Sequence, residues 1–405
     1  MNTFERTEKY VLGNYGRFPV SFVKGDGAWI WDESGKQYLD FASGIAVCSL
    51  GHSPKCMQEV LREQSATLIH CSNLYHIPKQ AELAEFIVET AVQLSGKVFF
   101  ANSGAEANDG AVKLARKYFY DQNGNSDRFE VITCNNSFHG RTLGGIAATG
   151  QDKVKTGFDP LLPGFLHVPF NDCEALRAAV LDKTAAILFE PVQGEGGIHV
   201  ATPEFIQTAV EIREQHGVLL MFDEVQCGFG RTGDWCGFRS IAPNVEPDVI
   251  TWAKGMAGGF PMGAMWISDK CAGSLGPGTH GSTFGGTPLG SAVALAVLQE
   301  IGNTGCLDNV RNLENYIRER VEGWNFPHIQ GLRGLGLMLG FILNEDAFGE
   351  VSPSPSIYLV NQLMKAGLLT VPAGASVVRW LPPLNTTKEE IDKAFEIMED
   401  VIAEL

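Results

Sequence analysis

Apolar residues in the middle of the chain form short runs that are bounded by turn signals and separated by stretches with helical spacing. The clearest run, Val218 to Phe222, follows a break at Gly217 and contains no polar residue. Such a run predicts a parallel strand that is covered on both faces. Val249 to Ala253 form a second, mostly apolar run. Because these runs alternate with helical patterns such as Pro203 to His216, the sequence predicts an α/β fold with a mostly parallel central sheet.

The rest of the pattern predicts the other elements. Strands are predicted at Val98 to Ala101, Phe129 to Cys134, Leu166 to Pro169, Ala186 to Pro191, Gly263 to Ser268, from about Gly331 through LRGLGLMLGFIL, and at Ser376 to Leu381. Helices are predicted at Lys55 to Leu68, Lys79 to Leu94, Ala107 to Tyr120, Cys173 to Leu181, Leu289 to Ile301, Ser356 to Ala366 and Lys388 to Leu405. Residues 20 to 41 carry short β-like pieces with turn residues between them, which favour a small antiparallel hairpin or meander.

A chain of 405 residues exceeds the usual size of a single hydrophobic core, so we expect two domains. Residues 51–301 are expected to form the large domain, and residues 302–405 a smaller α+β domain. Residues 1–50 are expected to pack with the small domain. The long apolar helix predicted at Leu289 to Ile301 is the expected bridge between the two.

Composition narrows the class of protein. Hydrophobic residues make up 44% of the chain and charged residues 19%, which is typical of globular proteins. The net charge is −16 and there is no run of Lys or Arg, so we expect no nucleic-acid partner. No apolar stretch reaches the roughly 18 residues of a membrane span, and the first residues lack the apolar core of a signal peptide. We therefore expect a cytoplasmic protein without a membrane partner.

The nine cysteines are scattered and include no C-x-x-C pair. Their spacing to histidines suits no zinc site. We interpret them as reduced and mostly buried thiols, and we expect no metal site.

Two candidate catalytic side chains lie where the two buried apolar runs end. Asp223 follows the first run and Lys254 follows the second. Since parallel strands end at a common edge, where open α/β sheets place their ligands, both side chains should face one crevice. Taken alone, Asp223 would equally suit a helix cap and Lys254 a solvated surface position.

A lysine among apolar strand ends and glycines is partly desolvated. Desolvation lowers the pKa of its ammonium group and makes the free amine a nucleophile toward carbonyls. Pyridoxal phosphate needs such a lysine at its aldehyde and a carboxylate beside its pyridine nitrogen. Lys254 and Asp223 suit these two positions.

Four loops are expected at the same edge: SGAEA from Ser103, SFHGRT from Ser137, EPVQGEGG from Glu190, and DEVQ from Asp223. Together with Lys254, this set resembles the fold-type I pyridoxal-phosphate enzymes and, within them, the class-III (ω-) aminotransferases. The similarity covers nearly the whole chain. It implies the fold-type I arrangement, with the cofactor bound in the large domain.

The resemblance implies a set of cofactor-binding residues. Those expected to hold the cofactor are Ser103, Gly104 and Ala105 at its phosphate, Phe138 stacked on its ring, Glu190 near Asp223, Gln226 at the ring hydroxyl, and Thr283 at the phosphate of the neighbouring subunit. A phosphate at Ser103 to Ala105 also agrees with the dipole and the free amides of a helix N terminus. Because Thr283 would act across subunits, the resemblance implies a homodimer with shared sites. His139 is interpreted as structural.

Two arginines are the candidates for substrate carboxylates, because a guanidinium can bind a carboxylate with two parallel hydrogen bonds. The resemblance implies that Arg141 takes the α-carboxylate of the amine substrate and Arg379 that of glutamate or 2-oxoglutarate. Glu195 is expected to pair with Arg379 when an amino group must sit nearby. Tyr15 and Ser282 are also assigned to the substrate site. Each arginine could otherwise form a surface salt bridge.

The resemblance implies transfer of the δ-amino group of N-acetylornithine to 2-oxoglutarate, with Lys254 as the catalytic acid and base. Enzymes of this class that act on free ornithine carry a tyrosine where this chain has Ile45, which argues against free ornithine and for a substrate whose far end is acylated or lacks an amino group. Isoleucine also occurs there in 4-aminobutyrate aminotransferases. Succinylornithine or 4-aminobutyrate as substrate, or a non-catalytic pyridoxal-phosphate binder, therefore remain alternatives.

Overall fold

The computed structural model describes residues 1–124 and 127–405. Its strands are β1 (Phe22–Asp26), β2 (Trp29–Asp32), β3 (Gln37–Asp40), β4 (Gly96–Ala101), β5 (Glu130–Cys134), β6 (Phe165–Val168), β7 (Thr184–Phe189), β8 (Val192–Gln193), β9 (His199–Val200), β10 (Leu219–Asp223), β11 (Val249–Trp252), β12 (Gly263–Ser268), β13 (Ile329–Leu335), β14 (Met338–Leu343), β15 (Leu368–Leu369), β16 (Val371–Pro372) and β17 (Val377–Trp380). No helix within these described ranges is long and apolar enough to cross a membrane.

The helices carry most of the remaining residues. They are α1 (Thr3–Tyr10), the short turn α2 (Ser43–Ala46), α3 (Lys55–Thr67), α4 (Pro78–Glu85), α5 (Gly104–Asn123), α6 (Leu143–Ala148), α7 (Cys173–Ala178), α8 (Pro203–His216), α9 (Asp269–Ala272), α10 (Pro288–Asn303), α11 (Cys306–Glu322), α12 (Pro355–Ala366) and α13 (Lys388–Ala403). A π-helical turn, Phe86–Val92, continues α4, and 3₁₀ turns lie at Asp152–Val154, Gly237–Ser240, Lys254–Ala257 and Glu345–Phe348.

The central sheet has seven strands in the order β4-β12-β11-β10-β7-β5-β6. Strand β10 pairs in parallel with both β7 and β11, whereas β12 pairs antiparallel with β11 and β4. Alternate residues of β10 belong to two separate apolar clusters, with Leu220 and Phe222 in one and Leu219 and Met221 in the other. Both faces of this strand are therefore covered, which confirms the mostly parallel, doubly covered sheet that the apolar run predicts.

The C-terminal third of the chain joins the N-terminal meander. Strands β1, β2 and β3 form the predicted antiparallel meander, and β15 extends it by pairing in parallel with β3, Leu368 opposite Leu39. A separate sheet runs in the order β13-β14-β17-β16. Helix α10 packs against α3 and α4 on one side and against α11 on the other. The domain boundaries at residues 50 and 301 stay predictions.

The single strand predicted through LRGLGLMLGFIL is wrong. The segment forms a hairpin, because β13 ends at Leu335 and β14 begins at Met338. Gly336 makes the turn with φ +59°, and a Cβ atom there would lie 2.5 Å from the carbonyl oxygen of Arg231. Only glycine combines a left-handed φ with so close an approach of another backbone.

Helix α11 was missed by the sequence prediction. Its buried residues Cys306, Val310, Leu313 and Ile317 are spaced four, three and four apart, which is the period of an amphipathic helix. The signal is therefore present in the sequence, although most of the other positions of the segment are polar or charged.

We expect Gly336→Ala to destabilise the protein more than Gly217→Ala. Both glycines have a left-handed φ, +59° and +65°, but nothing lies within 4 Å of a Cβ atom at Gly217. Gly217→Ala should therefore cost only the backbone strain, about 1–2 kcal/mol, whereas the clash at Gly336 should add about 2 kcal/mol or more. Thermal melting of both variants measures the difference. Equal melting temperatures would show that the contact with Arg231 relaxes without cost.

Candidate active site

A cavity of about 400 Å³ lies at the carboxyl edge of the central sheet. The loops that follow β4, β5, β7, β10 and β11 supply most of its walls. The lining residues that carry polar side chains are Asn102, Ser103, Asn108, His139, Arg141, Glu190, Glu195, Asp223, Gln226 and Lys254. The structure therefore brings together the four loops that the sequence places at one edge.

Asp223, the last residue of β10, is held on both carboxylate oxygens. Its Oδ2 accepts hydrogen bonds from Asn108 Nδ2 and pairs with His139 Nδ1, each at 2.7 Å, and its Oδ1 accepts from the Val225 amide at 3.0 Å. Asn108 is fixed in turn, because the hydroxyl of Thr251 donates to its Oδ1 at 2.6 Å. Burial by itself lowers the pKa of His139, but the hydrogen bond to Asp223 reverses the effect, so that the pKa lies above its usual value.

Lys254 follows β11 and lines the same cavity as Asp223. The parallel register sets Thr251 opposite Asp223, so the two strands end side by side. The backbone of Lys254 has φ +44°, an uncommon conformation for a residue with a side chain, which is typical of functional sites. Burial lowers the pKa of the Lys254 ammonium, and Glu195 opposes this shift only in part. This direction of the pKa shift makes the amine more readily deprotonated and so more nucleophilic.

The N terminus of α5 forms another wall. Ser103 caps this 20-residue helix, and its Oγ accepts a hydrogen bond from the Glu106 amide. Glu106 turns its carboxylate back to Asn102, where it accepts from both the backbone and the side-chain nitrogen. The amides of Gly104 and Ala105 are among the first N–H groups of the helix, which have no intrahelical partner. Their place at the positive end of the helix dipole fits a phosphate group.

Arg379, on β17, does not line the cavity itself but binds two residues that do, and its side chain has no exposed surface. Its Nη1 donates to Glu195 Oε1 and to Gln226 Oε1, each at 2.8 Å. Its Nε is buried without a partner among the described residues. Burial by itself raises the pKa of Glu195, but the charge of Arg379 reverses the effect, so the pair stays ionic. The unused donor leaves Arg379 able to bind a second carboxylate.

Arg141, Phe138 and Glu190 also line the cavity. The Arg141 guanidinium lies 5.4 Å from the centre of the Phe138 ring and pairs with no carboxylate in the described part of the chain. Glu190 accepts hydrogen bonds from the amides of Phe138 and Gly194, at 3.1 and 3.3 Å. Burial raises the pKa of Glu190 to about 7, an effect that the nearby His139 opposes. Arg141 is thus free for a ligand, whereas Glu190 holds the loop that carries Phe138.

Four residues assigned from the sequence do not line this cavity: Arg379, Tyr15, Ser282 and Thr283. Arg379 is joined to it through Glu195 and Gln226. Tyr15 is 70% exposed, and its ring is 5.5 Å from the guanidinium of Arg17. Ser282 and Thr283 line a different cavity, and Ser282 contacts the first one only through Asn102, whose Nδ2 donates to Ser282 Oγ at 3.0 Å.

Sequence reasoning missed two polar residues of the site. Asn108 was not singled out, and His139 was interpreted as structural, yet both bind Asp223. The available signal was the position of Asn108, since an amide four residues after Gly104 lies on the same face of α5 as the helix start.

An unusual turn borders the cavity beside Val47. The residues of α2, from Ser43 to Ala46, all have positive φ values between 46° and 67°, so the turn is left-handed. Asp40 stabilises it, because its Oδ1 accepts hydrogen bonds from the amides of Ala42 and Ser43. The other oxygen of Asp40 pairs with His52 Nε2 at 2.8 Å. His52 therefore holds Asp40 in place beneath a strained part of the cavity wall.

The chain is similar to known proteins over nearly its whole length. The family described as Aminotransferase class-III matches residues 10–402. A curated acetylornithine aminotransferase of Caldanaerobacter subterraneus subsp. tengcongensis is 47% identical, over 100% of both chains.

Solved structures have the same fold. An ornithine aminotransferase from Toxoplasma gondii, whose description reports partial occupancy of PLP at the active site, has a TM-score of 0.91 and 32% identity, over 99% of this chain and 94% of that one. The acetylornithine aminotransferase of Elizabethkingia anophelis has a TM-score of 0.86 and 32% identity, over 99% and 98%.

We expect His52→Gln to remove a pH-dependent part of the stability. The hydrogen bond that His52 donates to Asp40 is the main reason that the pKa of His52 rises from 6.5 to about 10. A raised pKa stabilises the fold fully below pH 6.5, and the contribution disappears as the pH rises through about 10. Because the pair is partly exposed, we expect a loss of about 1 kcal/mol near neutral pH.

Melting temperatures of wild type and variant across this pH range measure the effect. Their difference should shrink toward zero as the solution becomes alkaline. His76→Gln, at an exposed histidine without an ion pair in the described chain, is the control. A difference for His52→Gln that stays constant up to the alkaline end would contradict the role given to the ion pair.

Proposed function

The chain belongs to the class-III aminotransferases, and from this premise we propose that it transfers the δ-amino group of N-acetylornithine to 2-oxoglutarate. The products are N-acetylglutamate 5-semialdehyde and glutamate, a step of arginine synthesis. The observation that carries the proposal is that Lys254 and Asp223 line one cavity of about 400 Å³ together with Glu195, which pairs with Arg379. The Caldanaerobacter relative, 47% identical, is named for the same activity.

The enzyme is a pyridoxal-phosphate-dependent transaminase. The cofactor supplies an electron sink for the charge that develops when a C–H bond beside the amine breaks. The amides of Gly104 and Ala105, in the first turn of the helix that Ser103 caps, suit its phosphate. The carboxylate of Asp223 suits its pyridine nitrogen. Phe138 would stack on the ring, and Gln226 would contact the ring hydroxyl. Glu190 would support this group through the loop that carries Phe138.

Lys254 is the catalytic residue in this proposal. Its lowered pKa makes the amine easier to deprotonate, and the amine can then remove the proton from Cδ of N-acetylornithine. In the second half of the reaction the same side chain returns a proton to Cα of the new amino acid. The left-handed backbone of Lys254 and the cavity wall around it hold the amine close to both positions.

Arg141 and Arg379 would each bind the carboxylate of a different substrate. Arg141, which has no acidic partner in the described chain, would bind the α-carboxylate of N-acetylornithine. Arg379 would bind the α-carboxylate of 2-oxoglutarate after Glu195 releases it. Because Glu195 is partly exposed, with a side chain 32% accessible, it can leave Arg379 at lower cost than a fully buried acid could.

A homodimer would complete the site. Ser282 and Thr283 line a separate cavity with Leu74, and the exposed apolar residues nearby in the chain are Leu74, Tyr75 and Phe284, which are 88%, 70% and 63% exposed. A patch of this kind marks an interaction surface. We propose that a second copy covers it and receives Thr283, and that Tyr15 reaches a substrate mouth in the same assembly. All nine cysteines are free thiols, which supports a cytoplasmic location.

We expect Lys254→Ala to abolish transamination while the protein still folds. Loss of the acid–base group should lower kcat on N-acetylornithine by about 10⁴-fold. The half-reaction with glutamate gives the measurement, because wild-type protein should lose its yellow colour and the variant should keep it. Lys97→Ala, at an exposed lysine of β4, is the control.

Normal turnover by Lys254→Ala would reject the mechanism. A wild-type protein that stays yellow with every amine would instead be a cofactor-binding protein without this activity. Faster turnover of succinylornithine or 4-aminobutyrate than of N-acetylornithine would move the function to those substrates.

We expect the two arginines to affect different half-reactions. Arg141→Gln should lower kcat/KM for N-acetylornithine by about 10- to 100-fold, the worth of a charged hydrogen-bonded pair, and leave the half-reaction with 2-oxoglutarate nearly unchanged. Arg379→Gln should impair 2-oxoglutarate and glutamate instead. Single-turnover measurements of each half-reaction separate the two. Arg379→Lys keeps the positive charge but loses the paired N–H donors of the guanidinium. Full activity of this variant would therefore contradict binding of the carboxylate through two parallel hydrogen bonds.

A further inference from the structure

A second cavity, of about 760 Å³, shares Glu195 with the first. We call it the basic cleft, because five of its lining residues are Lys153, Lys155, His167, His199 and Arg333. The loop Glu195–Gly197 forms one of its walls, and residues 373–377 form another. Arg333 Nε donates a hydrogen bond to the carbonyl oxygen of Gly197 at 2.6 Å. A basic side chain of the cleft is therefore bonded to the loop that carries Glu195. The basic cleft and the active-site cavity therefore meet at the residue that pairs with Arg379.

Few acids balance these groups. The acidic residues that line the basic cleft are Asp152 and Glu195. Glu195 is already paired with Arg379, and Asp152 is fully exposed at 3.9 Å from Lys155. Neither Lys153 nor Arg333 has a carboxylate within 4 Å in the described part of the chain. The chain as a whole has a net charge of −16, but the basic cleft is locally positive. A positive cleft attracts anions.

The basic groups also crowd one another. Lys155 Nζ lies 3.4 Å from His167 Nε2. Burial, and then the charge of Lys155, lower the pKa of His167, and burial and Arg333 do the same to His199. Basic groups that face one cavity with few acids repel each other when charged, and a bound anion would offset that repulsion.

We propose that the basic cleft is a binding site for small dianions. Resting on the proposed function, it holds the dianionic 2-oxo acid beside Glu195 until that acid replaces Glu195 at Arg379. The charges of the two substrates give the cleft its selectivity. 2-Oxoglutarate carries two negative charges, whereas N-acetylornithine carries one carboxylate and one ammonium group and has no net charge. The cleft therefore concentrates the acceptor and leaves the donor unaffected.

Binding is tested on the holoenzyme without any amine, by NMR titration of the histidine rings with orthophosphate and with succinate. His167→Gln and His199→Gln identify the two signals. Either dianion should raise the pKa of both histidines in the wild type, because it offsets Lys155 and Arg333. The response should be lost in the double variant Lys153→Gln/Lys155→Gln. It should persist in Lys388→Gln/Lys393→Gln, which changes the net charge equally on the distant helix α13.

Kinetics test the role of the site. At low ionic strength Lys153→Gln/Lys155→Gln should raise KM for 2-oxoglutarate about fivefold, leave KM for N-acetylornithine unchanged, and approach wild type as salt is added. The Lys388→Gln/Lys393→Gln control should behave as wild type. Equal changes in KM for both substrates would overturn the role in acceptor binding.

The outcomes separate this inference from the proposed function. If neither dianion moves the signals of His167 and His199, the basic cleft is not an anion site, whatever the half-reactions show. If both signals respond but the protein transfers no amino group, the anion site stands and the proposed function fails. A response to orthophosphate without a response to succinate would overturn the dicarboxylate acceptor as the occupant.

Discussion

The hydrogen bonds to Asp223 hold the candidate site together. A buried carboxylate without partners would destabilise the fold by several kcal/mol, so its contacts constrain everything around it. The donors come from separate parts of the chain: Asn108 on α5, His139 in the loop after β5, and the Val225 amide beyond β10. Since Thr251 of β11 also fixes Asn108, one carboxylate joins two strands, a helix and a loop. The position of a cofactor ring nitrogen would be set before any ligand binds.

Burial then acts differently on each charged group of the cavity. It lowers the pKa of Lys254 and raises that of Glu190 to about 7, because neither has a strong partner of opposite charge. Arg379 and Glu195 form an ion pair at 2.8 Å, and the charge of Arg379 holds the pKa of Glu195 below its usual value. The same low dielectric therefore lowers the pKa of the lysine amine and strengthens a carboxylate–guanidinium pair beside it. A transaminase needs both, since it must move a proton and bind carboxylates in one cavity.

The sequence predicts the central sheet well because the strands there are buried on both faces, so their apolar runs are continuous. It fails at Gly336, where a glycine inside an apolar run could mark a bulge, a bend or a turn. The backbone of Arg231, over a hundred residues away, decides the outcome. Lys254 and Asp223 could be predicted from their strand ends. The position of Asn108 on α5 pointed toward the site, but its bond to Asp223, 115 residues away, could not be read from the sequence. Thr283 does not line the active-site cavity of its own copy of the chain. A single copy therefore does not show which group Thr283 would contact in an assembly.

The pairing of Glu195 with Arg379 also constrains how a substrate can enter. Removing one partner of a buried ion pair costs about 3–5 kcal/mol, because the remaining charge has no compensation. Arg379 has no exposed side-chain surface, so Glu195 cannot leave it for water without that cost. The cost falls if another carboxylate arrives as Glu195 departs, since one anion then replaces another. Such an exchange requires the incoming acid to wait within reach of Glu195. The basic cleft, which includes Glu195 in its lining, is where the structure provides a positive surface for it to wait.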